Sequence, residues 1–151
     1  MAIVSFEYSY VIQFRDTDAA GVVYFVNLVS ICHVAYEASL IESGIELKTF
    51  VNNSEFAVPI AHVSADFFRP LYCGDRVKID LRPCAIDSCK FEIKYQILST
   101  DLPAIVGGAS PEENRELVLA TATTKHVVID PQTRRRREFA AEIVRWLARW
   151  S

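Results

Sequence analysis

Between Val22 and Ser43 apolar residues are so dense that the polar ones carry the pattern: Asn27, Ser30, His33 and Glu37 recur three or four residues apart. That spacing draws one polar stripe along an α-helix, and Gly44 supplies a C-terminal stop. A helix with only a narrow polar stripe must be covered around most of its circumference, and a curved sheet is the economical cover. Strand patterns surround it. Residues 5–14, SFEYSYVIQF, mix aromatic and β-branched side chains with partial alternation, and RDTDAAG then reads as a loop. Residues 56–68, 76–86, 90–99 and 116–129 share strand composition, with KFEIKYQI alternating cleanly. The IDSCK turn is short enough for a hairpin, while residues 100–115 form a longer break rich in turn residues.

The end of the chain, TRRRREFAAEIVRWLARW, is a basic knot followed by an amphipathic helix. It puts Phe139, Ile143, Trp146, Leu147 and Trp150 toward one side, a face expected to dock on this domain or on a neighbouring subunit. Taken in order, the elements predict an α+β domain spanning residues 1–151, an antiparallel sheet wrapped around one long helix with an extra C-terminal helix.

Composition narrows the function. With 151 residues, 51% of them hydrophobic, the chain can bury a sizeable core as one domain. A net charge of −3 gives no global positive field for nucleic acid. Residues 19–41 are long and apolar with Glu37 the only full charge, but the polar stripe and the lack of Lys or Arg flanks predict a core helix and no membrane span. Cys32, Cys73, Cys84 and Cys89 form no CxxC pair and have no histidines at ligand spacing, so neither zinc nor a disulfide framework is expected. Reduced thiols and an N-terminus without a signal-like basic region point to a cytoplasmic protein.

The chemistry is concentrated in FRDTDAAGVVYFVN, residues 14–27. Asp16, Asp18 and Gly21 match positions one, three and six of a calcium loop, but Ala20 and Asn27 stand where ligands are needed. A phosphoryl-transfer DxD would require a parallel α/β sheet, which the strand pattern does not support. A third possibility uses the helix that follows: its unpaired first-turn N–H groups could hold an oxyanion, with Asp18 as nucleophile or general base, an arrangement suited to acyl transfer. The alternative, that both aspartates merely cap the turn and the helix, stands beside it.

DTDAAGVVYFVN, followed by CHVAYEASL and by VPIAHVSADFFRPLYCGD, resembles the hotdog-fold thioesterases of the 4-hydroxybenzoyl-CoA thioesterase family over about residues 5–130. Within that family the resemblance leans to the 1,4-dihydroxy-2-naphthoyl-CoA thioesterases of cyanobacterial phylloquinone synthesis. It implies a hotdog fold and hydrolysis of an aromatic acyl-CoA, with 4-hydroxybenzoyl or short-chain thioesters, or acyl-CoA binding without catalysis, as the alternatives. It also implies a homo-oligomer, a dimer of dimers, with sites at subunit interfaces.

By the same resemblance Asp18 is the catalytic carboxylate, the polarising N–H lies near Phe25, and Gly21 lets the backbone approach closely. Asp16 becomes a supporting loop residue. Tyr24, His33 and Glu37 are candidate substrate contacts, Glu37 alternatively pairing with a neighbouring subunit's arginine. Arg134, Arg135, Arg136 and Arg137 are candidates for the coenzyme A phosphates, with Arg69, Lys90 and Lys125 less distinguished. No metal is implied, and no cofactor apart from the coenzyme A that belongs to the substrate.

Overall fold

The computed structural model describes residues 4–101 and 117–151, so most of the 100–115 break lies outside the described residues. Strands β1 (Phe6–Val11), β2 (Ile60–Phe67), β3 (Arg76–Ala85), β4 (Lys90–Ser99) and β5 (Val118–Val127) form one antiparallel sheet in the order β1-β3-β4-β5-β2. Alternation places every second residue on one face. Leu81, Tyr95 and Ala122 thus stand in one row across β3, β4 and β5, and Ile79, Ile97 and Ala120 in the next. All six are buried. The IDSCK hairpin joins β3 to β4, its Asp87 carboxylate accepting the Cys89 and Lys90 N–H groups at 2.7 and 2.9 Å.

On this face lies α1 (Phe25–Glu42), which buries Leu28, Ile31, Cys32, Ala35, Tyr36, Ser39 and Leu40 at helical spacing. The hotdog arrangement of a long helix against a curved antiparallel sheet is therefore present. The sheet covers less of the helix than its sequence suggested, because Phe25, Val26, Val34 and Ile41 are exposed. β2 is the reason: it is an edge strand, every residue of it is exposed, and α1 does not close over it.

Several element bounds differ from the sequence reading, among them the start of β2, which is Ile60 and not Phe56. β1 stops at Val11, and Phe14–Asp16 turns once as a 3-10 helix. α1 begins at Phe25, not near Val22, because the preceding residues are pinned in extended form: Val23 N–H donates to Leu71 O at 2.8 Å and Tyr24 N–H to Asp16 O at 3.0 Å. A short helix, α2 (Leu47–Val51), follows the Gly44 stop, where none was expected.

The terminal helix, α3 (Ala141–Trp150), docks on its own chain. The Trp146 and Trp150 indole N–H groups donate to Ser39 and Ser43 Oγ at 2.9 and 3.0 Å, so two tryptophans four residues apart meet two serines four apart on α1. Between them Arg149 reaches the Glu42 carbonyl at 2.6 Å and stacks over the Trp150 ring. This satisfies both buried indoles through Ser39 on the buried side of α1 and Ser43 at its C-cap.

One buried polar group sits beneath α1. His126 Nε2 lies 2.8 Å from Thr124 Oγ1, and its ring stacks on Phe91 with centroids 4.6 Å apart, while Nδ1 has no partner among the described residues. Burial, with a smaller contribution from His33, pushes its pKa down to about 3. The folded protein therefore holds neutral imidazole where the unfolded chain, titrating near its ordinary value, takes up a proton. This contribution is complete above about pH 6.5 and fades as pH falls toward the folded value. Urea midpoints should show roughly 3 kcal/mol of acid destabilisation from this site between about pH 6.5 and 4, and His126→Phe should flatten that limb.

Candidate active site

The two aspartates of the loop have separate surroundings. Asp16 is buried, and its Oδ2 accepts the Tyr10 hydroxyl at 2.7 Å and the Gln13 N–H at 2.8 Å. Its carbonyl accepts the Tyr24 N–H and the Asn27 side-chain amide, both at 3.0 Å. Asp16 thus fastens the end of β1 to the start of α1. Burial first, and the adjacent carboxylate second, push the Tyr10 hydroxyl up to about 12, which keeps it a donor.

Asp18 is exposed. Its backbone closes a tight turn, with its N–H on Val22 O at 2.8 Å and its carbonyl accepting the Gly21 N–H at 3.0 Å. Gly21 has φ +81°, a left-handed conformation that a side chain would strain. Asp18 Oδ1 accepts the Ala20 N–H at 2.8 Å, and Oδ2 accepts nothing among the described residues. A bridge between Thr17 and Val23 ties this turn to the start of α1.

There the helix offers unpaired donors. The Asn27 N–H turns back to Tyr24 O at 2.8 Å, while the Phe25 and Val26 N–H groups find no acceptor among the described residues. Tyr24 and Phe25 stand exposed around this terminus, their ring centroids 4.6 Å apart.

A groove of about 740 Å³ runs from the helix start between α1 and β2. Phe25, Val26, Val29, Ser30 and His33 form one wall, and Val63, Ser64, Ala65 and Phe67 the other. Beyond His33 lies a second chamber of about 370 Å³, where Tyr36, Glu37 and Leu40 face α2 and residues 57–59, with Arg134 at its edge. His33 Nε2 and Glu37 Oε1 pair at 3.4 Å, both half-exposed.

The expected residues are therefore distributed. Phe25 and His33 line the groove, and His33, Glu37 and Arg134 the chamber. Asp18 and Gly21 sit on the adjoining turn and line neither cavity, and Tyr24 caps the helix from outside. Glu37 meets His33 of its own helix, a pair that their i,i+4 spacing already encodes. The basic run divides: Arg137 donates to the Glu55 carbonyl, whereas Arg135 and Arg136 are exposed. Sequence reasoning missed the α2 wall, although Leu47, Phe50 and Val51 carry helical spacing. It also missed the Val63, Ala65 and Phe67 wall, whose alternation shows a face but not what that face encloses.

Comparison with known proteins now decides the family. The Thioesterase-like superfamily profile matches residues 12–147. The chain belongs to this superfamily. It is 47% identical to a 1,4-dihydroxy-2-naphthoyl-CoA hydrolase of Crocosphaera subtropica over 140 residues, covering 93% of each chain. A protein of the same name from Rippkaea orientalis is 48% identical over 141 residues, covering 93% of this chain and 94% of that one. Among solved structures, a 1,4-dihydroxy-2-naphthoyl-CoA thioesterase from Synechocystis superposes with a TM-score of 0.83 at 30% identity, over 95% of this chain and 96% of that one.

No helix of the described residues is long and apolar enough to cross a membrane. The loop assignments have a direct thermodynamic test. Asp16→Asn should cost about 2 kcal/mol in urea denaturation, since it weakens two hydrogen bonds to a buried carboxylate. Asp18→Asn, on an exposed turn, should cost less than about 1 kcal/mol.

Proposed function

We propose that this protein is an acyl-CoA thioesterase that hydrolyses an aromatic acyl-CoA, foremost 1,4-dihydroxy-2-naphthoyl-CoA, to the free acid and coenzyme A. The observation that carries this reading is the exposed Asp18 carboxylate on a turn fastened to a helix start with two free N–H groups, at the head of an apolar groove. The relatives named for 1,4-dihydroxy-2-naphthoyl-CoA, nearly half identical over almost the whole chain, support the choice of acyl group.

The thioester carbonyl sits at the start of α1, where the Phe25 and Val26 N–H groups and the positive end of the helix polarise it. Asp18 attacks that carbon directly or takes the proton of a water that does. Either route places negative charge on the carbonyl oxygen before the carbon–sulfur bond breaks. In the water route Asp18 passes the proton it took to the departing thiolate. In the direct route the thiolate takes a proton from solvent, while water then hydrolyses the acyl–Asp18 anhydride to the free acid and restores the carboxylate. The carboxylate and the helix donors supply this chemistry, coenzyme A being part of the substrate. Arg135 and Arg136, exposed on their turn, meet its phosphates.

The exposed edge of β2 and the uncovered flank of α1 support assembly of two copies along these surfaces, with pairs joining into a dimer of dimers. Four unpaired cysteines support a reducing, cytoplasmic setting.

Thiol release from a panel of acyl-CoAs tests the activity: the naphthoyl thioester should give the highest kcat/KM, and no turnover of any aromatic thioester would sink the reading. Asp18→Asn should lower kcat by at least about a hundredfold while Asp16→Asn acts mainly on stability. Replacing Arg135 and Arg136 by Ala should raise KM several-fold with kcat unchanged, an effect that added salt reduces in the parent enzyme.

A further inference from the structure

The groove is longer than an aromatic acyl group. Its α1 wall, from Phe25 to His33, measures roughly 12 Å by helical rise. Its β2 wall, from Phe67 to Val63, measures roughly 13 Å by strand rise, so the two walls agree. Two fused rings reach only about 7 Å from their carbonyl carbon, by ordinary carbon–carbon bond lengths. A naphthoyl group held at the helix start therefore ends beside Val29, well short of His33.

Beyond His33 the same trough continues. His33 lines both the groove and the chamber, and Tyr36 and Leu40 carry the stripe of α1 onward. The opposite wall is also continuous in the chain, running back from Val63 on β2 to Pro59 and Ala57. Phe25 to Tyr36 is roughly 16 Å of helix. At the junction the half-exposed His33 side chain is paired with Glu37 of its own helix, so it borders the path as an already satisfied group.

The chemistry of the chamber matches plain hydrocarbon. Leu40, Leu47, Phe50, Val58 and Pro59 stand in its walls, and they would leave the amides of a pantetheine arm without partners. An extended alkyl chain advances about 1.25 Å per carbon, from tetrahedral carbon geometry. Anchored by its carbonyl at the helix start, such a chain passes His33 at about its eleventh carbon and comes level with Tyr36 at about its fourteenth. It is also narrower than a ring, which suits a passage bordered by an imidazole.

We propose that the protein also hydrolyses linear acyl-CoAs with chains of about twelve to sixteen carbons, the chain lying along α1 with its end in the chamber. This rests on the thioesterase reading above and adds a second class of substrate to it. The bond changes are those of the aromatic substrate: water supplies the oxygen of the new carbon–oxygen bond, the carbon–sulfur bond breaks, and the products are the fatty acid and coenzyme A.

Thiol release is measured with octanoyl-, decanoyl-, dodecanoyl- and tetradecanoyl-CoA below their micellar concentrations, beside 2-naphthoyl-CoA. For the parent protein kcat/KM should rise about threefold for each carbon added across the series, since each buries a further methylene. Ala57→Phe, which narrows the chamber away from the Asp18 turn, should lower kcat/KM for tetradecanoyl-CoA at least tenfold and change that for octanoyl-CoA and 2-naphthoyl-CoA less than twofold. Val51→Trp, at a position 74% exposed on the same chamber, repeats the test without disturbing the core.

A kcat/KM no higher for tetradecanoyl-CoA than for octanoyl-CoA would overturn the inference. So would losses in both variants that are equal for the long and short chains, or no loss in either. If the parent protein hydrolyses no acyl-CoA, linear or aromatic, the thioesterase reading fails and this one with it. If 2-naphthoyl-CoA is hydrolysed while chain length has no effect, this inference alone fails. Hydrolysis of tetradecanoyl-CoA but of no aromatic thioester would support it and overturn the aromatic choice above.

Discussion

The site depends on where α1 is allowed to begin. Sequence pattern would let the helix start near Val22, but Val23 is held by Leu71, and Tyr24 by the carbonyl of Asp16. These bonds keep three residues extended and place the first helical turn beside the Asp18 loop. Had the helix begun a turn earlier, intrahelical carbonyls would have taken the Phe25 and Val26 N–H groups. A buried carboxylate anchors this arrangement from below, which is why the two aspartates, only two residues apart, do different work.

The rest of the fold supports that placement. Rows of side chains on β3, β4 and β5 bury one face of α1, and α3 fixes its second half through paired tryptophans and serines. The C-terminal end of α1 is braced by α3 and its start by Leu71 and Asp16, while Phe25 and Val26 border the groove. A helix held at both ends can present donors at its start with little reorganisation, the condition electrostatic stabilisation of an oxyanion requires.

Much of this was legible in the chain because it follows short-range rules. The five strands and the long helix follow from alternation and helical spacing, and the DxDxxG element points to the Asp18 turn. What the sequence withheld depended on distant partners. Leu71 is nearly fifty positions from Val23, so nothing local announced that residues 22–24 would be extended. The exposure of β2 on both faces is invisible in FAVPIAHVSADFF, whose composition matches that of a covered strand. α2 was hidden because five residues of helix leave little periodicity to read. The basic run shows the same limit: four adjacent arginines look equivalent until a turn sends one to a backbone carbonyl and another to a cavity.

β2 carries a consequence for how catalytic capacity scales in the cell. It forms one wall of the groove, yet as an edge strand it has neighbours on one side only. Under the proposed pairing, a lone copy holds a half-finished trough, so the active fraction rises with the concentration of the chain and falls on dilution. Substrate and partner copy then become mutual effectors, each tightening the other's binding by the same factor. Supply of the acyl-CoA would thereby set how much of the protein is assembled to consume it.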